Sequence, residues 1–179
     1  TSLPKGDYRL AESVGGADAE AACFAWAIGA YRFQRYKKRD GDLARLVWPV
    51  GVDRAAVRRL VAALTLARDL INTPAEDMGP PHLADAAKAV AKAHKAKVRT
   101  IVGDDLLKQN YPTIHAVGRA SVRAPRLIDL TWGKASHPKV TLVGKGVCFD
   151  TGGLDLKPAA GMLMMKKDMG GAATVLAVA

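Results

Sequence analysis

The stretch KVTLVGKGVCFDTGG, residues 139–153, joins a short apolar run to a glycine-rich loop. The run KVTLVG is rich in β-branched residues and predicts a strand that ends at Gly144. The loop then follows the carboxyl end of a strand, which is where α/β sheets usually bind ligands. Lys145 stands between two glycines, which allow a sharp turn and a close approach of other groups. Both the fold and a candidate site are therefore expected to be organised around this stretch.

Other segments upstream predict the elements that would surround this strand. Three short runs are rich in β-branched residues and predict strands: KVRTIV (97–102), TIHAVG (113–118) and RLIDLTW (126–132). The segment DDLLKQN (104–110) predicts a short helix. Apolar residues at helical spacing predict two longer helices, one from Asp53 to about Pro74 and one from Pro81 to about Lys95. Strands mixed with helices indicate an α/β fold with a mixed sheet flanked by helices.

The residues before Asp53 indicate a separate body of protein. DAEAACFAWAIGAYRFQRYKKR, residues 18–39, predicts a helix that Asp18 can cap, and a short strand is expected after it. We therefore expect residues 1–52 to form the end of a smaller α/β amino-terminal domain together with a connecting helix. Residues 53–179 then form the larger α/β domain.

Composition limits the functions that this chain of 179 residues can have. No apolar run reaches the roughly 20 residues that a membrane-spanning helix needs, so no membrane role is expected. The formal charge is +10, which raises nucleic-acid binding as a function class. The basic residues are scattered except for the cluster YRFQRYKKRD (31–40), which is better read as a solvated face or a subunit contact. Cys23 and Cys148 predict reduced, buried thiols in a cytoplasmic protein.

The loop and the residues after it suggest a metal site. A Walker phosphate loop and a Rossmann dinucleotide loop both need glycines in an order that GKGVCFDTGG lacks. Asp150 and Asp168 are hard oxygen ligands, and carboxylates can bridge the paired cations of hydrolytic enzymes. A lysine near dications can lose its proton and bind as a neutral amine, and a second lysine can stabilise an oxyanion. The alternative is that two aspartates and two lysines, Lys145 and Lys157, form ordinary salt bridges between loops.

The complete pattern resembles a known family. GKGVCFDTGGLDLKP followed by MKKDMGGAATVL closely resembles the signature of the leucine aminopeptidase family, the cytosolic dimetal aminopeptidases. Upstream segments resemble that family in the same order: AIGAYRFQRYKK, LARDLINTPAEDMGPPHLA and AVGRAS followed by PRLIDLTW. The resemblance extends from about Asp18 to the last residue.

This resemblance implies a role for each residue of the candidate site. It makes Lys145 a metal ligand, Asp150 a ligand that bridges two metals, and Asp168 a further ligand. It makes Lys157 the catalytic residue that polarises the peptide carbonyl, and Met165 part of the pocket for the first side chain. Among the neighbours, Met162 and Met164 are interpreted as core residues, and Lys166 and Lys167 as solvated ones.

The implied function is metal-dependent removal of amino-terminal residues from peptides, with a leucine-like preference. Two divalent metal ions (zinc or manganese, or magnesium) would hold a free amino terminus and activate a water molecule. The family also implies a bicarbonate cofactor, peptide substrates, a homo-hexamer and a cytoplasmic location. In the terms of this resemblance the chain is a metalloprotease and a hydrolase, and nucleic acid is an unlikely partner.

One departure from the family pattern concerns the end of the chain. The family's second signature, Asn-Thr-Asp-Ala-Glu-Gly-Arg, supplies two more metal ligands and the bicarbonate-binding arginine, and it does not occur in this chain. We therefore expect the chain to be a fragment whose catalytic domain is incomplete at its carboxyl end and which is inactive alone. The alternative function is that of a degenerate paralogue that acts as a binding module.

Overall fold

The computed structural model describes residues 3–11, 14–38, 41 and 43–179. The chain divides into two compact units, Thr1–Asp69 and Leu70–Ala179. Among the described residues, no helix combines the length and the apolar character needed to cross a membrane.

The described residues of the first unit form two short strands and two helices. The strands β1 (Asp7–Tyr8) and β2 (Arg45–Leu46) pair in parallel, and the helices are α1 (Gly16–Gly29) and most of α2 (Arg54–Asn72). Asp53 caps α2 as predicted, since its Oδ1 accepts hydrogen bonds from the backbone N–H groups of Ala55 and Ala56, both at 2.9 Å.

The prediction of a helix over 18–39 was wrong about its length. Helix α1 ends at Gly29, where the N–H of Ala30 bonds to the carbonyl of Trp26, and residues 31–38 continue without regular structure. Glycine is a poor helix former because its backbone loses the most entropy on ordering. The basic residues Arg32, Arg35, Lys37 and Lys38 therefore follow the helix. Residues 39 and 40 of the predicted helix and basic cluster lie outside the described residues.

The second unit contains the antiparallel pair β3 (Lys97–Val102) and β4 (Arg126–Thr131), aligned so that Lys97 faces Thr131 and Val102 faces Arg126. Its other elements are helices α3 (Pro80–His94), α4 (Asp105–Lys108), α5 (Pro112–Gly118), α6 (Ala159–Leu163) and α7 (Gly170–Val178), and a 3-10 turn at Met165–Lys167. Helix α3 packs on both strands. The α/β fold class with small sheets flanked by helices is confirmed.

The prediction of a strand at TIHAVG was wrong, because residues 112–118 form helix α5. Pro112 occupies the first turn, where its fixed φ favours a helix and its missing N–H costs nothing. The carbonyl of His115 accepts a hydrogen bond from the N–H of Arg119, at 2.8 Å, and Gly118 packs directly on Pro125. Local turn chemistry and packing therefore outweigh the preference of Ile114 and Val117 for strands.

The predicted strand KVTLVG is also absent from the described residues. Residues 138–150 have no regular structure, and both Val140 and Val143 are largely exposed. A strand is stabilised by hydrogen bonds to a neighbouring strand, and no described residue supplies one here. The loop after Gly144 therefore follows an unpaired segment, and other contacts must hold the candidate site together.

Candidate active site

Two glycines bring the two ends of the site into contact. A Cβ atom at Gly144 would lie 2.6 Å from the carbonyl oxygen of Gly171 and 2.7 Å from Cα of Ala172. A Cβ atom at Gly171 would lie 2.9 Å from the backbone nitrogen of Lys145. The N–H of Ala172 donates to the carbonyl of Lys145, at 2.9 Å. The first turn of α7 thus lies directly against the backbone that carries Lys145.

Gly144→Ala should destabilise this contact. The new methyl group would overlap backbone atoms, which cannot rotate away, and overpacking of this kind typically costs about 1–3 kcal/mol. Gly153→Ala is the matched control, since a Cβ atom there meets nothing within 4 Å. Urea unfolding of both variants measures the difference. Equal stability of the two variants would contradict the close backbone packing at Gly144.

A tight turn positions Lys157 beside Asp150. Gly152 has a φ of +110°, and any side chain at this position would overlap the carbonyl oxygen of Asp155. The N–H of Lys157 donates to the carbonyl of Thr151, at 2.9 Å, and closes the turn. The Lys157 ammonium consequently lies 2.7 Å from Oδ1 of Asp150. Their side chains are 36% and 27% exposed, so both remain accessible to a substrate.

Asp168 is positioned by the 3-10 turn that precedes it. Its N–H donates to the carbonyl of Met165, at 2.9 Å, and Oδ2 of its carboxylate lies 3.2 Å from Nζ of Lys145. The neighbouring Met169 is only 1% exposed and anchors the turn in the core. The hydrogen bond to the Met165 carbonyl and the buried Met169 together hold the backbone that carries this carboxylate.

The two ion pairs belong to one cluster. Asp150 is hydrogen-bonded to the Lys157 ammonium and to the N–H of Gly152, and it also lies in the field of Lys145. These interactions, of which the Lys157 hydrogen bond is the largest, lower the pKa of Asp150 below its ordinary value. The Lys157 ammonium also donates to Sδ of Met165, at 3.3 Å. The five residues selected from the sequence thus form one connected cluster.

The donors of this cluster fit divalent cations. The cluster contains two carboxylates, which are hard oxygen ligands, and each of them already faces a positive charge. Lys145 adds a nitrogen that can bind a cation once it is deprotonated. No group of three or more histidine, cysteine, aspartate and glutamate side chains suited to a metal occurs in the part of the chain that the structure describes. These residues therefore offer three donors, which is fewer than a pair of cations requires.

Cys148 is close to the site in sequence but is not a nucleophile at neutral pH. Its side chain is buried, and burial raises the pKa of the thiol to about 11 despite the opposing fields of Arg123 and Arg126. The thiolate is the reactive form of cysteine, so the neutral thiol is inert. Cys148 is therefore not a candidate nucleophile for this site.

Sequence reasoning misassigned two neighbours of the site. Met164, interpreted as a core residue, is 51% exposed. Lys166, interpreted as solvated, is partly buried and donates to Oδ1 of Asn72 at 3.4 Å. No sequence signal links positions 72 and 166, because their contact depends on how the end of α2 meets the 3-10 turn.

Comparison with known proteins gives these observations a family. Residues 65–179 match the family model described as the cytosol aminopeptidase family, catalytic domain. The chain belongs to the cytosol aminopeptidase family. Residues 1–49 match the model of the M17 aminopeptidase N-terminal domain. The catalytic-domain model thus covers every member of the five-residue cluster.

Relatives in this family are longer than the chain. A probable cytosol aminopeptidase of Rhodococcus jostii (strain RHA1) is 39% identical over 177 residues, which cover 89% of this chain and 35% of that protein. The crystal structure of the cytosol aminopeptidase from Coxiella burnetii has a TM-score of 0.92 and 52% identity, over 99% of this chain and 39% of the other. The chain therefore spans little more than a third of the length of these relatives.

Two further solved structures have similar folds. The bottromycin maturation enzyme BotP in complex with Mn has a TM-score of 0.77 and 34% identity, over 96% of this chain and 39% of its own. The leucyl aminopeptidase of Trypanosoma cruzi has a TM-score of 0.80 and 30% identity, over 97% of this chain and 36% of its own.

Proposed function

We propose that this chain forms part of a metal-dependent aminopeptidase that hydrolyses peptides from a free amino terminus. The observation that carries the proposal is the cluster at 145–168, where two carboxylates each face a lysine within a segment that matches the catalytic-domain model. The accessible lysine and carboxylate at the tight turn suit a reaction on an external substrate. The ion pairs Lys88–Asp85 and Lys108–Asp105, by contrast, each join side chains three residues apart on one helix.

Each residue of the cluster has a role in this proposal. Asp150, Asp168 and Lys145 would hold the metals, with Asp150 shared between two of them. When bound, divalent cations would supply an acidified water molecule as the nucleophile. The charged Lys157 would stabilise the negative charge that develops on the carbonyl oxygen. A free amino terminus would be required because a metal would bind a neutral amine, which a peptide offers only at the start of its chain.

Family membership supports the remaining features of the proposal. Zinc or manganese is proposed as the metal, partly because BotP was solved with Mn. The proposal also includes a preference for leucine-like residues, with Met165 in the pocket for the first side chain. It further includes a bicarbonate cofactor and a hexameric assembly. Relatives named cytosol aminopeptidase support a cytoplasmic location.

The test is hydrolysis of leucine p-nitroanilide by the longer protein that carries this chain, first stripped with a chelator and then supplied with Mn²⁺ or Zn²⁺. Metal-dependent release of nitroaniline is expected, whereas the same substrate with an acetylated amine should remain intact. Hydrolysis of both substrates at equal rates would contradict recognition of the free amine. No hydrolysis at any metal concentration would favour the degenerate binding module instead.

The 179-residue chain alone should be inactive in the same assay. The cluster offers three metal donors, Lys145, Asp150 and Asp168, and no larger group of metal-binding side chains occurs among the described residues, so a pair of cations would be incompletely held. The measurement is the rate with saturating metal, compared with that of the longer protein. Metal-dependent turnover by the chain alone would show that these donors suffice.

A further inference from the structure

The Lys157 side chain makes a second contact that the proposed chemistry leaves unexplained. Besides its ion pair with Asp150 at 2.7 Å, its ammonium donates to Sδ of Met165 at 3.3 Å. A thioether is a weak acceptor, and lysine usually keeps its charge in water. The contact between the Lys157 ammonium and the buried Met165 sulfur is therefore unusual and requires a structural or functional explanation.

Two features of the fold create this contact. Helix α6 lies between the two residues and begins where the N–H groups of Gly161 and Met162 bond to the carbonyl of Pro158, at 2.8 and 3.2 Å. The chain thereby returns within eight residues from Lys157 to Met165. Met165 is 5% exposed, whereas the adjacent Met164 is 51% exposed, so only one of the two sulfurs faces inward.

We infer that Met165 is a positioning residue for Lys157, and that its thioether fixes the direction of the ammonium without neutralising it. Lysine has a flexible four-carbon stem, so the loss of rotamer entropy opposes a single orientation of its ammonium. A carboxylate could also fix the direction of the ammonium, but its negative charge would offset the positive charge that stabilises an oxyanion. A neutral, polarisable sulfur holds one N–H and leaves the positive charge available.

This inference rests on the proposed function, because it assigns Lys157 a task in catalysis. In that function Asp150 is shared with cations, so its carboxylate cannot be reserved for Lys157. The Met165 sulfur is then the contact of the Lys157 ammonium that is not shared with a metal. A role limited to lining the substrate pocket would instead predict that Met165 acts on substrate binding and is indifferent to Lys157.

The test compares Met165→Leu with Met165→Gln in the longer, metal-loaded protein, with Met164→Leu as control. Leucine keeps the apolar volume and removes the acceptor, whereas glutamine keeps an acceptor at similar reach. Met165→Leu should lower kcat about tenfold, the effect of one lost hydrogen bond, with KM little changed. Met165→Gln should retain more of kcat than Met165→Leu, and Met164→Leu should match the wild type.

A double-mutant cycle adds the decisive readout. In a Lys157→Ala background, Met165→Leu should change kcat by less than about twofold, because the group that it positions is already gone. A full additional loss would overturn the inference. A higher KM with unchanged kcat in Met165→Leu, or lower kcat in Met165→Gln than in Met165→Leu, would overturn it as well.

A spectroscopic measurement separates failure of this inference from failure of the proposed function. With ¹³C-labelled methionine methyl groups, the Met165 resonance should shift in Lys157→Ala and stay fixed in Lys167→Ala. If the wild type has no aminopeptidase activity but the resonance shifts, the proposed function fails and the Lys157–Met165 contact is supported. An unmoved resonance overturns the inference whatever the activity.

Discussion

Lys157→Ala in the longer protein is expected to lower kcat by roughly 10²–10³-fold, the usual effect of removing one group that stabilises an oxyanion. Metal content should stay nearly intact, because in the proposal Lys157 acts on the substrate and binds no metal. Its accessible side chain at the end of a closed turn is consistent with that role. The measurements are kcat with leucine p-nitroanilide and metal content by atomic absorption.

Lys167→Ala is the matched control for this substitution. Lys167 lies ten residues further along the chain and is exposed, so its loss changes the net charge equally and should leave kcat near that of the wild type. If Lys157→Ala loses its metals along with its activity, Lys157 is a ligand or a structural residue. In that case its assignment as the catalytic residue is wrong.

Asp150→Asn is expected to weaken both metal sites together, by about 100-fold or more. Loss of an outer partner of a ligand already costs about 10–100-fold in affinity, and Asp150 is proposed as a direct ligand of both metals. The amide removes the negative charge that offsets repulsion between two cations. Lys145→Ala should weaken one site far more than the other, because Lys145 is proposed to serve one metal.

Titration of the chelator-stripped protein with Mn²⁺ or Zn²⁺, followed by calorimetry, measures both sites. Asp155→Asn is the control, since Asp155 is exposed on the same turn and only its backbone takes part in the turn. One site that keeps full affinity in Asp150→Asn would rule out a shared ligand at this position.

The local elements of the fold were largely predictable from the sequence. KVRTIV and RLIDLT form a strand pair, and Asp53 caps α2, because alternation, β-branching and capping act over a few residues. The failures have both local and non-local causes. KVTLVG has a strand composition but finds no pairing partner among the described residues, and TIHAVG became a helix through Pro112 and the packing of Gly118 on Pro125.

The five residues selected from the sequence lie together in the structure, but the way in which they pair was not predictable. Residue chemistry alone left salt bridges between loops as an alternative, and the structure does contain the pairs Lys145–Asp168 and Lys157–Asp150. Which lysine meets which aspartate depends on two backbone contacts, the Gly144–Gly171 approach and the turn closed at Thr151. Close backbone contacts of this kind require glycines, which are visible in the sequence, but the sequence does not show which segment each glycine contacts.

The turn that carries Lys157 has a consequence for how this segment can vary among related chains. Its path from Thr151 to Lys157 is fixed at both ends by a backbone hydrogen bond, and the fully exposed Leu154 lies at its tip. A different side chain at position 154 would meet only solvent. An inserted or deleted residue would instead shift Lys157 along the chain and turn its ammonium away from Asp150. The residue at the tip of this segment should therefore tolerate substitution, whereas the number of residues between Thr151 and Lys157 should not change.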